Sequence, residues 1–118
     1  MATFTKAHLS GAADGLAVKV AATSSTGTTI HTAVSGTTAG SFSDIWIWCC
    51  NTGTSDVKVT FEWGTTTAAD GNIELTIPGE AGLVQVIPGL ILHNSKVVTA
   101  FAGTADVILC LGYVNEIA

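Results

Sequence analysis

The stretch Asp44-Ile45-Trp46-Ile47-Trp48-Cys49-Cys50, DIWIWCC, has two apolar faces, and how they are covered decides the fold. If it is a strand, Ile45, Ile47 and Cys49 point one way and Trp46, Trp48 and Cys50 the other. After a short polar break comes VKVTFEW, residues 57 to 63, which alternates differently. Val57, Val59, Phe61 and Trp63 share one face, and Lys58, Thr60 and Glu62 share a face that reads as wet. One face of DIWIWCC belongs in a core. The other must meet the chain's own leader, a sister subunit, a protein partner or a sugar.

Working outward from these two runs, short segments rich in Val, Ile, Thr and aromatics recur. They are LAVKVAA (16 to 22), TTIHTAV (28 to 34), NIELTIP (72 to 78), LVQVIP (83 to 88), LILH (90 to 93), VVTAFA (97 to 102) and DVILCLGYV (106 to 114). Between them lie turn signals at spacings of about 8 to 12 residues. PGEAG, PG and HNSK set turns through proline's fixed φ and glycine's positive φ. NTGTSD, residues 51 to 56, reads as a hairpin connection between the two opening strands. Helical stripes are absent, since Gly and β-branched Thr interrupt every Ala-containing segment. The pattern predicts an all-β protein, an antiparallel, jelly-roll-like β-sandwich of about eight strands. Residues 1 to 15, without sustained period, read as an irregular N-terminal arm, and residues 16 to 118 as a single sandwich domain.

Composition narrows the function. The 118 residues are 47% hydrophobic and 11% charged, whereas an ordinary soluble domain carries about 25% charged residues. A surface covered mainly by Thr and Ser is expected to associate, so a homo-oligomer is the expected partner state. Four lysines, no arginine and a net charge of −5 argue against nucleic acid and against an anionic membrane surface. MATFTKAHLSGAADG lacks the continuous apolar core of a signal peptide, and no run reaches the length of a membrane span. Three cysteines, two of them adjacent, read as free thiols in a reducing compartment.

No enzyme signature is legible. Metal binding by His31, His93, Cys49, Cys50 or Cys110 lacks any C-x2-C or H-x3-H spacing, so neither metal nor other cofactor is expected. Ser, His and carboxylates are present, but G-x-S-x-G is not, and the carboxylates mostly sit in turns or at alternate strand positions. The expectation is a protein that is not an enzyme. Paired tryptophans leave a carbohydrate-binding module, using Trp46, Trp48 or Trp63, as the alternative class.

From HTA at 31 to GYVNEI at 112 to 117, the chain resembles the small decoration, or cement, proteins on the outside of tailed-bacteriophage capsids. DIWIWCCNTGTSDVKVTFEWG, IELTIPGEAGLVQVIPGLIL and VVTAFAGTADVILCLGYVNEI carry the resemblance. It implies a β-sandwich made in the host bacterial cytoplasm and placed on the capsid exterior. There a homo-oligomer, expected to be a trimer, would clamp neighbouring copies of the major capsid protein. A tail or neck component of the same virion is the neighbouring alternative. Phe4, His8, Leu9, Ile30, Trp46 and Trp48 are the candidate subunit or capsid interface.

Overall fold

A computed structural model describes residues 3–118. It contains β1 (Phe4–His8), β2 (Val18–Lys19), β3 (Thr28–Thr32), β4 (Phe42–Asn51), β5 (Val57–Trp63), β6 (Asn72–Ile77), β7 (Val84–Leu92), β8 (Val97–Ala102) and β9 (Ile108–Ile117). Five strands form sheet A in the order β1-β9-β4-β7, with β2 also on β9; four form sheet B in the order β3-β8-β5-β6. The strands pair antiparallel throughout the described residues. All links after β3 cross between the sheets except the β5–β6 hairpin. That order is a jelly roll, two interleaved Greek keys.

The sandwich architecture is the one expected, and the differences lie in its connections. Residues 4 to 8 are not irregular: β1 pairs with Tyr113–Ile117 of β9, while β2 pairs with Leu109 and Cys110 of the same edge. They are two pieces of one jelly-roll position, interrupted by the excursion at residues 9 to 17, so nine strands fill eight positions. NTGTSD is not a hairpin. It carries the chain from sheet A to sheet B, because Asn51 makes a corner there. Its side-chain N–H donates to the carbonyls of Ser55 (2.8 Å) and Ile77 (3.0 Å), and its Oδ1 accepts from Gly53 N–H (2.9 Å). LVQVIP and LILH are one strand, β7. Pro88 and Gly89 form a bulge opposite β4, where the register slips between Ile45 and Trp46, and it slips again before Trp48. Proline tolerates such a place because an edge strand at a bulge needs no N–H from it.

Alternation sorts the side chains as the opening stretch implies. Ile45, Ile47 and Cys49 are buried against Val59, Phe61, Ile87, Ala100, Ile108, Cys110 and Val114 in one continuous core. Glycine is required at 112, opposite Ile47, because a Cβ there would overlap the Trp46 carbonyl. Sheet B departs from the expected wet face. Lys58 is exposed, but Thr60 and Glu62 are only 2% and 1% accessible. Residues 25 to 27 reach the Glu62 carboxylate, with Gly27 packed on the Ala100 backbone of β8, so sheet B covers part of its second face with its own chain.

Candidate functional site

Sheet A leaves its second face uncovered by any described strand. The β4–β9 register places the outward residues in rows. Phe42 is opposite Ile117, Asp44 opposite Asn115, Trp46 opposite Tyr113, Trp48 opposite Leu111 and Cys50 opposite Leu109. β1 extends these rows with Phe4 beside Ile117 and Lys6 beside Asn115. On the other side, β7 adds Ile91 beside Asp44 and Pro88 beside Trp46. Antiparallel sheets with one solvated face ordinarily place polar residues there. Here the central strands do the opposite.

Three near-parallel aromatic rings occupy the middle of this face. Trp46, Trp48 and Tyr113 have centroids 6.0 to 6.4 Å apart and interplanar angles of 13° to 28°. Trp46 leans across β7 because residue 89 has no side chain: a Cβ on Gly89 would come within 2.5 Å of the indole, and its φ of +79° already favours glycine. The indole N–H donates to Asp44 Oδ2 (3.1 Å), which also accepts from the Asn115 amide (3.2 Å). Lys6 Nζ lies 4.4 Å from the Tyr113 ring centroid, a cation–π contact. All three rings are half-buried by one another and by the strands beneath. Around them Phe4 and Ile91 are 65% and 56% exposed. An apolar depression of about 360 Å³ continues the face past Phe42 and Ile91 toward His93 and Lys96.

The interface residues expected from sequence divide cleanly. Phe4, Trp46 and Trp48 lie on this face, and His8 is an exposed β1 residue opposite Tyr113. Leu9 and Ile30, by contrast, are 1% and 0% exposed and belong to the core, so neither can touch a partner. Leu9 follows β1 directly and plugs the sandwich; Ile30 is the inward residue of β3. Tyr113, Leu111 and Ile117 complete the face, and the sequence reading missed them. Their signal was the same as that of DIWIWCC, an apolar residue on both parities of one strand.

Two buried polar clusters sit elsewhere. At one end of the sandwich Ser43, His31 and Glu116 join β4, β3 and β9. Ser43 Oγ donates to Glu116 Oε2 (2.5 Å) and accepts from Val34 N–H (3.1 Å). His31 Nδ1 accepts from Ser10 N–H (3.0 Å), which leaves the ring proton on Nε2, 3.4 Å from Glu116 Oε1 and 3.4 Å from Ser43 Oγ. These are the residue types of a nucleophilic triad in the wrong arrangement. The serine gives its proton to the carboxylate, the imidazole has no free lone pair toward it, and Ser43 is wholly buried. The cluster's role is to tie the sheets together. Burial holds His31 below its ordinary pKa, and the charge and hydrogen bond of Glu116 only partly oppose that shift.

The second cluster is Glu62, which accepts from Ser25 Oγ (2.5 Å), Gly27 N–H (2.8 Å) and Thr99 Oγ1 (2.7 Å). Burial alone would raise its pKa, but the three donors outweigh burial and keep it below the usual carboxylate value. Cys49 and Cys110 face each other in the core with sulfurs 3.5 Å apart, both as free thiols. The hydrogen bond to Cys49, with burial, pushes Cys110 well above an ordinary thiol. Among the described residues, no three His, Cys, Asp or Glu side chains gather where they could hold a metal ion.

Comparison with protein-family models, with curated proteins and with solved structures found no match for this chain. The distinguishing feature therefore has to be read from the molecule itself. Its buried polar side chains hold the sandwich together, and aromatic and aliphatic side chains stand outward on sheet A.

Proposed function

We propose that this chain is a structural virion protein of the capsid-decoration class, acting by docking and not by chemistry. In this reading it binds the outer surface of a phage capsid as a homo-oligomer and holds neighbouring major capsid proteins together. It is made in the host cytoplasm and ends on the virion exterior. The observation that carries the reading is the outer face of sheet A, where aromatic and aliphatic side chains stand in place of a wet surface. Such a face suits a permanent assembly, whose interfaces resemble a core cut in half. The jelly-roll order adds support by analogy of fold alone, since viral capsid domains and lectins both use it. Contacts made only in the assembled lattice stabilise it by mass action and slow its disassembly.

Undecorated capsids incubated with the purified protein should bring it down on sedimentation, and their melting temperature should rise. Absence of both effects would sink the decoration reading. The aromatic trio flanked by Asp44 and Asn115 favours a second reading, a glycan-binding module. It predicts a saturable change in tryptophan fluorescence on titration with an oligosaccharide panel, and a flat response would exclude it.

A further inference from the structure

The geometry points to a second copy of this chain as what covers the outer face of sheet A, the two copies packing sheet against sheet about a two-fold axis. This inference rests on reading that face as a docking surface, but it does not depend on a capsid partner.

Size comes first. β4 and β9 each run ten residues, about 33 Å at a rise of about 3.3 Å per residue, and four strands about 4.8 Å apart make the face about 19 Å wide. The footprint is thus about 600 Å² per copy, or about 1,200 Å² for a pair, which reaches the range of specific, stable interfaces. A sugar ring would occupy the aromatic trio and leave Phe4, Phe42 and Ile117 wet. A second copy covers them all.

Symmetry and charge come next. A two-fold axis parallel to the strands and midway between β4 and β9 lays β9 of one copy over β4 of the other. Because Trp46 and Tyr113 are register partners, this operation sets each Tyr113 over the opposite Trp46, and each Leu111 over the opposite Trp48. Aligned sheets pack in this way about 10 Å apart. One charged row of the face is also self-complementary, while Lys19, beside Leu109 on β2, stands at its edge. Lys6, Asn115 and Asp44 lie in one row across β1, β9 and β4. Reversing that row brings the ammonium of each copy toward the carboxylate of the other. An isologous contact needs this property, the same patch meeting itself. A face with one sign of charge would repel its copy, and this one does not.

The test is sedimentation velocity across a micromolar series, with far-UV circular dichroism to verify folding. The expected mass is twice the 12.0 kDa of the chain. Trp48→Glu, placing a carboxylate at the centre of the face, should leave a folded monomer. Lys6→Glu should weaken the pair at least tenfold, and adding Asp44→Lys to it should recover part of the loss, since the double variant restores the opposite charges across the pair but gives up the hydrogen bonds that Asp44 accepts from Trp46 and Asn115. A wild-type monomer at 100 micromolar scale, a dimer indifferent to Trp48→Glu, or a trimer, which the resemblance implies, would each overturn the two-fold pairing. If Trp48→Glu fails to fold, the Lys6 and Asp44 exchange decides alone. An intact dimer that ignores capsids would remove the decoration reading and leave the pairing standing. A capsid-binding monomer would do the reverse.

Discussion

Replacing Glu62 by Ala should destabilise the protein by about 2 to 6 kcal/mol, although sequence alternation marks this residue as an exposed one. Its carboxylate accepts three hydrogen bonds, from Ser25, Gly27 and Thr99. Truncation leaves the Gly27 N–H and the Thr99 hydroxyl without their acceptor, each an unsatisfied polar group costing about 1 to 3 kcal/mol. Ser25 is exposed and can turn to water, so it adds little. For a chain of 118 residues, an unfolding entropy of about 2.1 cal/mol/K per residue converts each kcal/mol into about 4 °C. The expected drop in Tm is therefore about 8 to 24 °C. Urea titration followed by the fluorescence of the three tryptophans gives the free energy directly. Glu62→Gln should lose less, because it keeps one acceptor and the shape. The sign with pH follows from the lowered pKa. The unfolded chain takes up a proton first as pH falls, so this contribution is complete above the ordinary carboxylate pKa of about 4.3 and is lost as pH drops through the folded value. Glu62→Gln should lack that part of the acid slope. A Glu62→Ala variant within about 0.5 kcal/mol of the parent, the range of ordinary surface substitutions, would refute the idea that this carboxylate pins the 25 to 27 segment to sheet B.

Three further outcomes follow from the packing of the sandwich. His31 is held neutral by burial, so the unfolded chain binds its proton more readily; stability should be full above about pH 6.5 and fall below it, and His31→Gln should flatten the Tm profile between pH 7.5 and 5.5. Gly112→Ala, whose Cβ would meet the backbone carbonyl of Trp46, should cost about 1 to 3 kcal/mol or more by denaturation, the cost of overpacking against an element that cannot yield. Ile47→Ala removes a fully buried side chain and should cost about 2 to 5 kcal/mol. Trp48→Ala, one residue along and facing outward, should cost clearly less in urea while weakening association, and equal effects of the two variants on both properties would contradict the assignment of faces.

Much of the fold was legible because period-2 alternation is local. The parity of Ile45, Ile47 and Cys49 identified the core face of β4 without knowledge of any partner strand. Connections were less legible. Residues 51 to 56 carry hairpin chemistry, yet whether such a loop returns along the same sheet or crosses to the other depends on Asn51, whose amide reaches the carbonyl of Ile77. That acceptor is 26 positions away in the chain and invisible to a local window. Pro88 and Gly89 read as a turn for the same reason: a bulge and a turn use the same residues, and only pairing to β4 distinguishes them. The candidate face was half legible. Trp46 and Trp48 announced it, but Leu9 and Ile30 look as apolar as they do, and only the closed sandwich separates a core residue from a surface one.

The two sheets treat their outward faces in opposite ways. Sheet B hides Glu62 and Thr60 on its second face, and the 25 to 27 segment, with Thr99, supplies the donors that a buried carboxylate needs. That arrangement is costly in polar groups and is complete within one chain. On sheet A no described segment crosses the aromatic trio, and the polar groups at its middle are engaged within the face: Asp44 accepts from Trp46 and Asn115, while Lys6 lies against Tyr113. Lys19, beside Leu109, and His8, beside Tyr113, stand exposed at its edge. A face so arranged offers an incoming surface little competition from water-seeking groups. It can be covered without leaving a buried charge unpaired, provided the incoming surface brings one ammonium and one carboxylate of its own. The surface that meets this condition by symmetry is the same face on another copy.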